Sequence, residues 1–389
     1  MHVITSSRMA GAETFLARLL RRITTETSAS DATDSARSGR LLRPVHHCVS
    51  SVSPANDEMR AAGVELEALG IGGKANLFAL ARLRKAAQRC RADILHSHLS
   101  TASWWCGWLE QFGGPPSIGH VHGFTSALWH RRQSHLIACT AAVKDDLIAH
   151  GIPADRITVM YYAVDPNDQQ PTRSAADIRA ELGATPETPV VATFAHLSLK
   201  KGYRELVRAA ELVINHIPSA QFWCFGEGPL RGELEAYVRA AGIDDQFKLF
   251  GFRRNVPDLM QACDVMCLPS HREPFGLVYV EAALAGKPVI ACDAGGAAEV
   301  IMAGETGLLV PPPCLTGSAN AIGTNVAALA DAIMSLLDSP HQAATMGRRS
   351  RQFALDRFGW PGYLARLNEL YARVLGRDVK SILPARYAA

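Results

Sequence analysis

The sequence predicts an α/β protein made of two Rossmann-like, doubly wound domains, and three observations predict it. The chain has 389 residues, long for one hydrophobic core and comfortable for two. Short apolar, β-rich runs alternate with longer segments of helical period, the pattern of βαβ units and parallel sheets. A polar, proline-bearing stretch from Pro166 to Pro189 separates two such series and reads as a linker.

In the first series, strands are predicted near His2–Thr5, Pro44–Val49, Val64–Leu66, Ile94–His96, Ser117–His122, Leu136–Cys139 and Ile157–Met160. Helices fall between them, for example at Ala12–Thr25, Leu77–Cys90 and Ala141–His150. Ser28 to Arg40 is small, polar and aperiodic, and reads as a mobile loop. The second series places strands at Val190–Phe194, Gln221–Phe225, Phe247–Phe250, Val265–Leu268, Val289–Ala291 and Gly307–Val310. Pro311-Pro312-Pro313 ends it, Gly317 to Thr324 reads as a second flexible loop, and the remainder is helical. The expected division is a first domain over 1–165, a linker over 166–188, a second domain over 189–355 and a terminal helix over 356–389. Paired sheets of this kind present the carboxyl ends of their strands to a cleft, where open α/β folds bind ligands.

Composition narrows the class. Apolar residues make up 48% of the chain, which describes a soluble globular protein. A net charge of +3 is too small to argue for a nucleic-acid partner. No apolar run approaches the roughly 20 residues that span a bilayer. The N-terminus opens on a strand pattern rather than a secretory signal, so a cytoplasmic location is expected. Nine cysteines, an odd number and mostly in apolar segments, read as buried free thiols in a reducing compartment. His46-His47-Cys48 and Cys263-x3-Cys267 have metal-like spacing, but read more simply as a strand start and a helix-to-strand passage.

The chemistry concentrates in His271-Arg272-Glu273-Pro274-Phe275-Gly276-Leu277-Val278-Tyr279-Val280-Glu281-Ala282. Glu273 and Glu281 flank a Pro-Phe-Gly turn and a helix start, between apolar strand-like runs. Backbone N–H groups near Gly276 and Leu277, with the helix dipole behind them, suit a diphosphate. A carboxylate at each end suits sugar and ribose hydroxyls. Taken alone, the pair reads more simply as an ordinary strand–loop–helix unit with a capping Glu; its companions reverse that reading.

Glu273-Pro274-Phe275-Gly276-Leu277-x3-Glu281-Ala282 resembles the donor-site signature of retaining glycosyltransferases of the GT-B fold, family 4. The likeness spans nearly the whole chain. His2-Val3-Ile4-Thr5 with Met9-Ala10-Gly11-Ala12-Glu13 resembles the family's opening strand and Gly-Gly-Ala-Glu loop, with Ala10 for the first Gly. His96-Ser97-His98, His120-Val121-His122-Gly123, Lys201-Gly202, Gly226-Glu227-Gly228, Phe250-Gly251-Phe252 and Gly295-Gly296-Ala297-Ala298-Glu299 follow in family order.

The resemblance implies a GT-B architecture with the terminal helix crossing back to the first domain, kinked at Trp360-Pro361-Gly362. It also implies a nucleotide diphosphate sugar as donor and a glycan or lipid-linked acceptor, in surface polysaccharide or lipopolysaccharide synthesis. UDP is the default base and GDP-mannose stays open. Glu273 would hold the donor sugar, Glu281 the nucleotide ribose and Lys201 the diphosphate, and His122 would approach the donor sugar. Glu273, His122 and Lys201 are thus the catalytic candidates, with a structural histidine as the other reading of His122. Ala10 and Gly11 would bring backbone near the diphosphate, Phe252 and Arg253 the base, and Phe275, Gly276 and Leu277 the helix start. In the family, attack comes from the front face, assisted by the leaving phosphate. The chain has no Asp-x-Asp, the metal signature of the competing GT-A fold, so neither a catalytic metal nor another cofactor is expected.

Two positions depart from the pattern. His196 stands where the family's phosphate-binding Arg belongs, exchanging a permanent charge for a residue type that titrates near neutral pH. Tyr161-Tyr162-Ala163-Val164-Asp165 replaces the usual Asn-Gly-Val-Asp and reads as structural variation. A non-catalytic nucleotide-sugar-binding protein, or a nucleotide-sugar epimerase, are the alternatives to a transferase. Arg82, Arg84, Lys85, Arg89 and Arg91 crowd one helix, with Trp104-Trp105 and Trp129-His130-Arg131-Arg132 nearby in sequence. These suggest peripheral contact at the inner face of the membrane; a solvated helix and buried tryptophans are the simpler reading.

Overall fold

The structure, a computed structural model, describes residues 1–5, 11–31, 47–49, 60, 66–71, 73–76, 78–313 and 319–377. It divides into two compact units: Met1–Ala163 with Trp360–Ala389, and Val164–Gly359.

The first unit carries strands β1 (His2–Ile4), β2 (His47–Val49), β3 (Leu66–Ala68), β4 (Leu95–His98), β5 (Ser117–Val121), β6 (His135–Ala138) and β7 (Ile157–Val159). All pair in parallel, in the order β3-β2-β1-β4-β5-β6-β7. The order reverses between β1 and β4, which marks the topological switch point of a doubly wound sheet. Helix Phe78–Arg89 buries Ala79, Leu83, Ala86 and Ala87, one helical stripe, and turns Arg82, Arg84, Lys85 and Arg89 to solvent. Helix Trp360–Leu375 packs in this unit. The Trp360 ring lies 5.8 Å from that of Phe15, and Arg366 donates to the Val159 carbonyl at 2.8 Å.

The second unit carries β8 (Val190–Phe194), β9 (Gln221–Phe225), β10 (Phe247–Gly251), β11 (Val265–Leu268), β12 (Val289–Cys292) and β13 (Gly307–Val310). They too are parallel, in the order β10-β9-β8-β11-β12-β13, with the switch point between β8 and β11. The inner strands β8, β11 and β12 are short, apolar and buried on both faces, as a parallel sheet requires. Helix Tyr203–His216 buries Leu206, Val207, Ala210, Val213 and Ile214 and packs against helix Ala319–Leu337.

Four expectations are corrected. The helix Gly11–Asp31 runs through 28–31, read as loop; 32–40 lie outside the described residues. Helix Ala319–Leu337 begins inside the stretch read as the second loop, where alanines support helix despite Gly323. Trp360-Pro361-Gly362 starts a separate helix after helix Pro340–Arg357 instead of kinking one; proline in a first turn forfeits no hydrogen bond. The stretch read as linker folds into the second unit as a 3₁₀ turn, Pro166–Gln169, and a helix, Ala175–Glu181. Buried Asp258 accepts from the backbone N–H groups of Thr172 (2.6 Å) and Arg173 (3.1 Å), and Asp264 receives both 2.9 Å bonds of Arg179. These polar groups, which look like linker in the sequence, are satisfied from 85 or 86 residues away.

Among the described residues, Cys106, Cys139, Cys224, Cys263, Cys267 and Cys292 are buried free thiols and Cys90 is partly buried. Burial pushes the thiols of Cys263 and Cys292 up to about 12, so they stay protonated and unreactive.

Candidate active site

In a parallel sheet all strand ends of one kind share an edge, so the loops after β8, β9, β10, β11 and β12 gather at the carboxyl edge of the second unit. At the switch point two of them meet. After β8, Ala195–Ser198 leads into the 3₁₀ turn Leu199–Lys201 and then helix Tyr203–His216. After β11, Pro269 to Gly276 leads into helix Leu277–Leu284. The His271 N–H donates to the Lys200 carbonyl at 2.9 Å and locks the loops together. Gly202 makes this possible: its φ is +71°, and a Cβ there would lie 1.9 Å from the Pro269 carbonyl oxygen.

Lys201 and Glu273 come together at that junction. Lys201 Nζ donates to Glu273 Oε2 at 2.6 Å, and Ser270 Oγ donates to the same oxygen at 2.8 Å. Glu273 is only 7% exposed, a depth at which a carboxylate needs such partners. Its backbone is held as well. Gly296 N–H donates to the Glu273 carbonyl at 2.7 Å, and Gly295 adopts a φ of +69° with a would-be Cβ 2.2 Å from that carbonyl oxygen. The Gly295-Gly296 pair therefore works as a support behind Glu273.

Gly276 caps helix Leu277–Leu284, and no acidic side chain occupies its first turn, so nothing on the helix offsets its N-terminal partial positive charge. Tyr279 anchors this helix through its hydroxyl to the Leu268 carbonyl at 2.9 Å. Glu281 lies one turn after Leu277 on the same face, with Gln169 Nε2 3.5 Å from Oε1. The Phe275 side chain is 1% exposed and meets the Phe358 ring edge-on at 5.7 Å, so it packs in the core while its backbone belongs to the helix start.

The flanking candidates share the edge without touching the pair. His196 is exposed in the loop after β8, with no side-chain hydrogen bond among the described residues. Phe252 (59% exposed) and Arg253 follow β10 and face solvent. Gly226 and Gly228 pack against backbone, where a Cβ would fall 1.9 Å from the Ala195 carbonyl and 2.3 Å from that of Leu197, so they shape the His196 loop.

The remaining candidates belong to the first unit. Ala10 lies outside the described residues; Gly11 opens helix Gly11–Asp31, with no described atom within 4 Å of a would-be Cβ. His122 follows β5, its Nε2 3.0 Å from His98 Nδ1 and its Nδ1 2.6 Å from the Tyr162 hydroxyl. Burial, then the charge at His130, pushes the His122 imidazole down to about 3, so it is neutral at physiological pH. Sequence reasoning missed Ser270, Gly295, Gly296 and Tyr162 as site-shaping residues.

Two parallel Rossmann-type sheets of this order, with a lysine–carboxylate pair at the second switch point, define a protein of the GT-B class. The family model Glycosyl transferases group 1 matches residues 174–353, and Glycosyltransferase Family 4 matches residues 47–168. The chain is 30% identical over 329 residues to a 2-deoxystreptamine glucosyltransferase of Streptomyces kanamyceticus, covering 77% of this chain and 82% of that one. It is also 30% identical over 305 residues to a D-inositol 3-phosphate glycosyltransferase of Xylanimonas cellulosilytica, covering 75% and 69%. Among solved structures, Anabaena HepE in complex with UDP-glucose matches with a TM-score of 0.80 at 23% identity, over 96% of this chain and 100% of that one. WaaG, a glycosyltransferase involved in lipopolysaccharide biosynthesis, matches with a TM-score of 0.69 at 15% identity, over 94% and 99%. The chain belongs to the group 1, family 4 glycosyltransferases. It is a nucleotide-sugar-dependent enzyme.

Proposed function

We propose that this enzyme transfers a hexose from a UDP-sugar, with retention of the anomeric configuration, to a glycan or lipid-linked acceptor in surface polysaccharide or lipopolysaccharide synthesis. The Lys201–Glu273 pair at the switch point of the second unit is the observation that carries the reading. Breaking the C1–O bond places negative charge on the departing diphosphate, and Lys201 with the N-terminus of helix Leu277–Leu284 supplies fixed positive potential for it. Glu273, oriented by Lys201 and Ser270, accepts hydrogen bonds from sugar hydroxyls. Glu281 takes the ribose, and Phe252 and Arg253 the base; His122, in the first unit, is the remaining catalytic candidate. UDP is favoured because the HepE structures hold UDP and UDP-glucose, whereas a mannosyltransferase relative of Mycolicibacterium smegmatis, 29% identical, is GDP-mannose-dependent. A thermal-shift panel of UDP-, GDP- and ADP-sugars, followed by NMR of the product's anomeric proton, tests this. A GDP-sugar as the sole stabilising donor, or an inverted anomer, contradicts it.

Peripheral membrane contact belongs to the same proposal. Among the described residues no helix is long and apolar enough to cross a membrane. The first unit instead gathers Trp104, Trp108 and Trp129 into one aromatic cluster, with Arg132 3.9 Å over Trp108 and Lys74 3.8 Å over Trp129. Trp105 is buried and donates to the Gly73 carbonyl at 2.9 Å, so it takes no part. Cations on partly exposed indoles suit an anionic interface. Sedimentation with anionic vesicles should succeed at low salt and fail at high salt; no binding at low salt removes this element.

A further inference from the structure

The first unit stacks five histidines on one face of its sheet. His2, His96, His98 and His120 come from adjacent strands β1, β4 and β5, and His122 follows at the end of β5. Three nitrogen contacts run in series through them. His2 Nδ1 lies 3.1 Å from His98 Nε2, His98 Nδ1 lies 3.0 Å from His122 Nε2, and His122 Nδ1 lies 2.6 Å from the Tyr162 hydroxyl. Tyr162 belongs to the stretch Tyr161-Tyr162-Ala163-Val164-Asp165, in which the sequence departs from the family pattern.

Nitrogens this close invite a metal reading, since sets such as His98, His120 and His122 lie within 4.8 Å of one another. The ring planes argue against it. His120 and His122 stack at 4.2 Å with 13° between planes, and His96 and His98 at 4.5 Å with 19°. An ion bound in the plane of one imidazole lies far out of the plane of a ring stacked on it, so these lone pairs do not converge on one ion.

A hydrogen-bonded series is what the geometry serves. A neutral imidazole has one N–H and one bare nitrogen, so each ring in the series donates on one side and accepts on the other. The direction chosen at one contact fixes every other. If the Tyr162 hydroxyl donates to His122 Nδ1, then His122, His98 and His2 all carry their proton on Nε2. If it accepts, all three carry it on Nδ1. No mixed arrangement keeps the three bonds.

We propose that Tyr162, His98 and His2 are positioning residues for His122, joined in a relay that holds all three imidazoles in one common tautomer and so presents His122 to substrate in a fixed orientation and protonation pattern. The proposal rests on the catalytic part given to His122 above. Leu99, directly after His98, holds a φ of +68° that only a constrained backbone gives a leucine, consistent with His98 being held in place.

Tyr162→Phe is the informative variant, because it removes only the hydroxyl and keeps the ring that stacks on Phe15 at 4.4 Å. Nitrogen-15 spectra of the histidine rings should show His2, His98 and His122 protonated on the same named nitrogen in the wild type. In Tyr162→Phe, His122 should become a mixture of tautomers. We expect kcat to fall by roughly threefold to tenfold, the scale of one lost hydrogen bond, with donor KM nearly unchanged. Tyr162→Asn, which restores a polar partner, should recover part of the loss. Three rings protonated on differing nitrogens overturn the relay, as does stoichiometric Zn²⁺ binding that shifts those nitrogens. Wild-type kcat and tautomer in Tyr162→Phe overturn the positioning role. His122→Ala is the control for the reading beneath it: unchanged turnover there sinks the part given to His122, whereas the spectra judge the relay independently.

Discussion

Lys201 and Glu273 are 72 residues apart in the chain and 2.6 Å apart in the fold. Each orients the other, so on the proposed function the diphosphate would meet a lysine already held in place by the carboxylate. His196, in the adjoining loop and in place of an arginine, has no such partner among the described residues and is exposed. A bound diphosphate favours its protonated form, so binding donor should take up a proton. Donor affinity should accordingly fall as the pH of the titration rises from mildly acidic to mildly alkaline, and His196→Arg should flatten that fall. Calorimetric titrations across that range on both proteins measure it. Parallel profiles would show that His196 takes no part in phosphate binding.

At the scale of elements, the strands and turns of the first unit impose a pH dependence on stability. They hold histidines as neutral groups. His122 is pushed down to about 3, and His130 and His135 to about 4, in each case first by burial. His96 and His120 are shifted the same way, also first by burial. The folded values lie below the unfolded value of about 6.5. Above that value neither state binds the protons, and the full stability is present. As pH falls below it, the unfolded chain takes up protons that the folded unit refuses, and stability is lost progressively toward the folded values. Each such histidine contributes a slope of about 1.4 kcal/mol per pH unit within that window. Thermal melts from about pH 7.5 down to about pH 5 should therefore show a falling midpoint beginning near about 6.5; a flat midpoint would mean that these rings titrate normally. The same elements show what a sequence reveals. Apolar strands such as Val190–Phe194 and Val265–Leu268 were legible to the residue, because burial on both faces leaves an unbroken apolar run. Helix Ala175–Glu181 was not, because Asp258 and Asp264, which stabilise its surroundings, lie far along the chain.

For the whole molecule, the double alternation of strands and helices and the order of short motifs made two parallel sheets legible from sequence. Glu273, Glu281 and Lys201 were legible as site candidates because a carboxylate spacing and a Lys-Gly pair are local signals. Ser270, Gly295 and Tyr162 were not, since each acts through a contact that only the folded chain creates. The central claim is that donor binds at the carboxyl edge of the second unit, with Lys201 on the diphosphate and Glu273 on the sugar. Removing one partner of so buried a pair costs stability on the order of 3 kcal/mol, so folded protein is to be verified in each variant before it is titrated. The decisive measurement compares the affinities of UDP and UDP-glucose for wild type, Lys201→Ala and Glu273→Gln. The account predicts that Lys201→Ala weakens both ligands by roughly tenfold or more, the scale of a lost charged hydrogen bond, while Glu273→Gln leaves UDP nearly unchanged and weakens UDP-glucose alone. Folded variants that bind both ligands as the wild type does would contradict it.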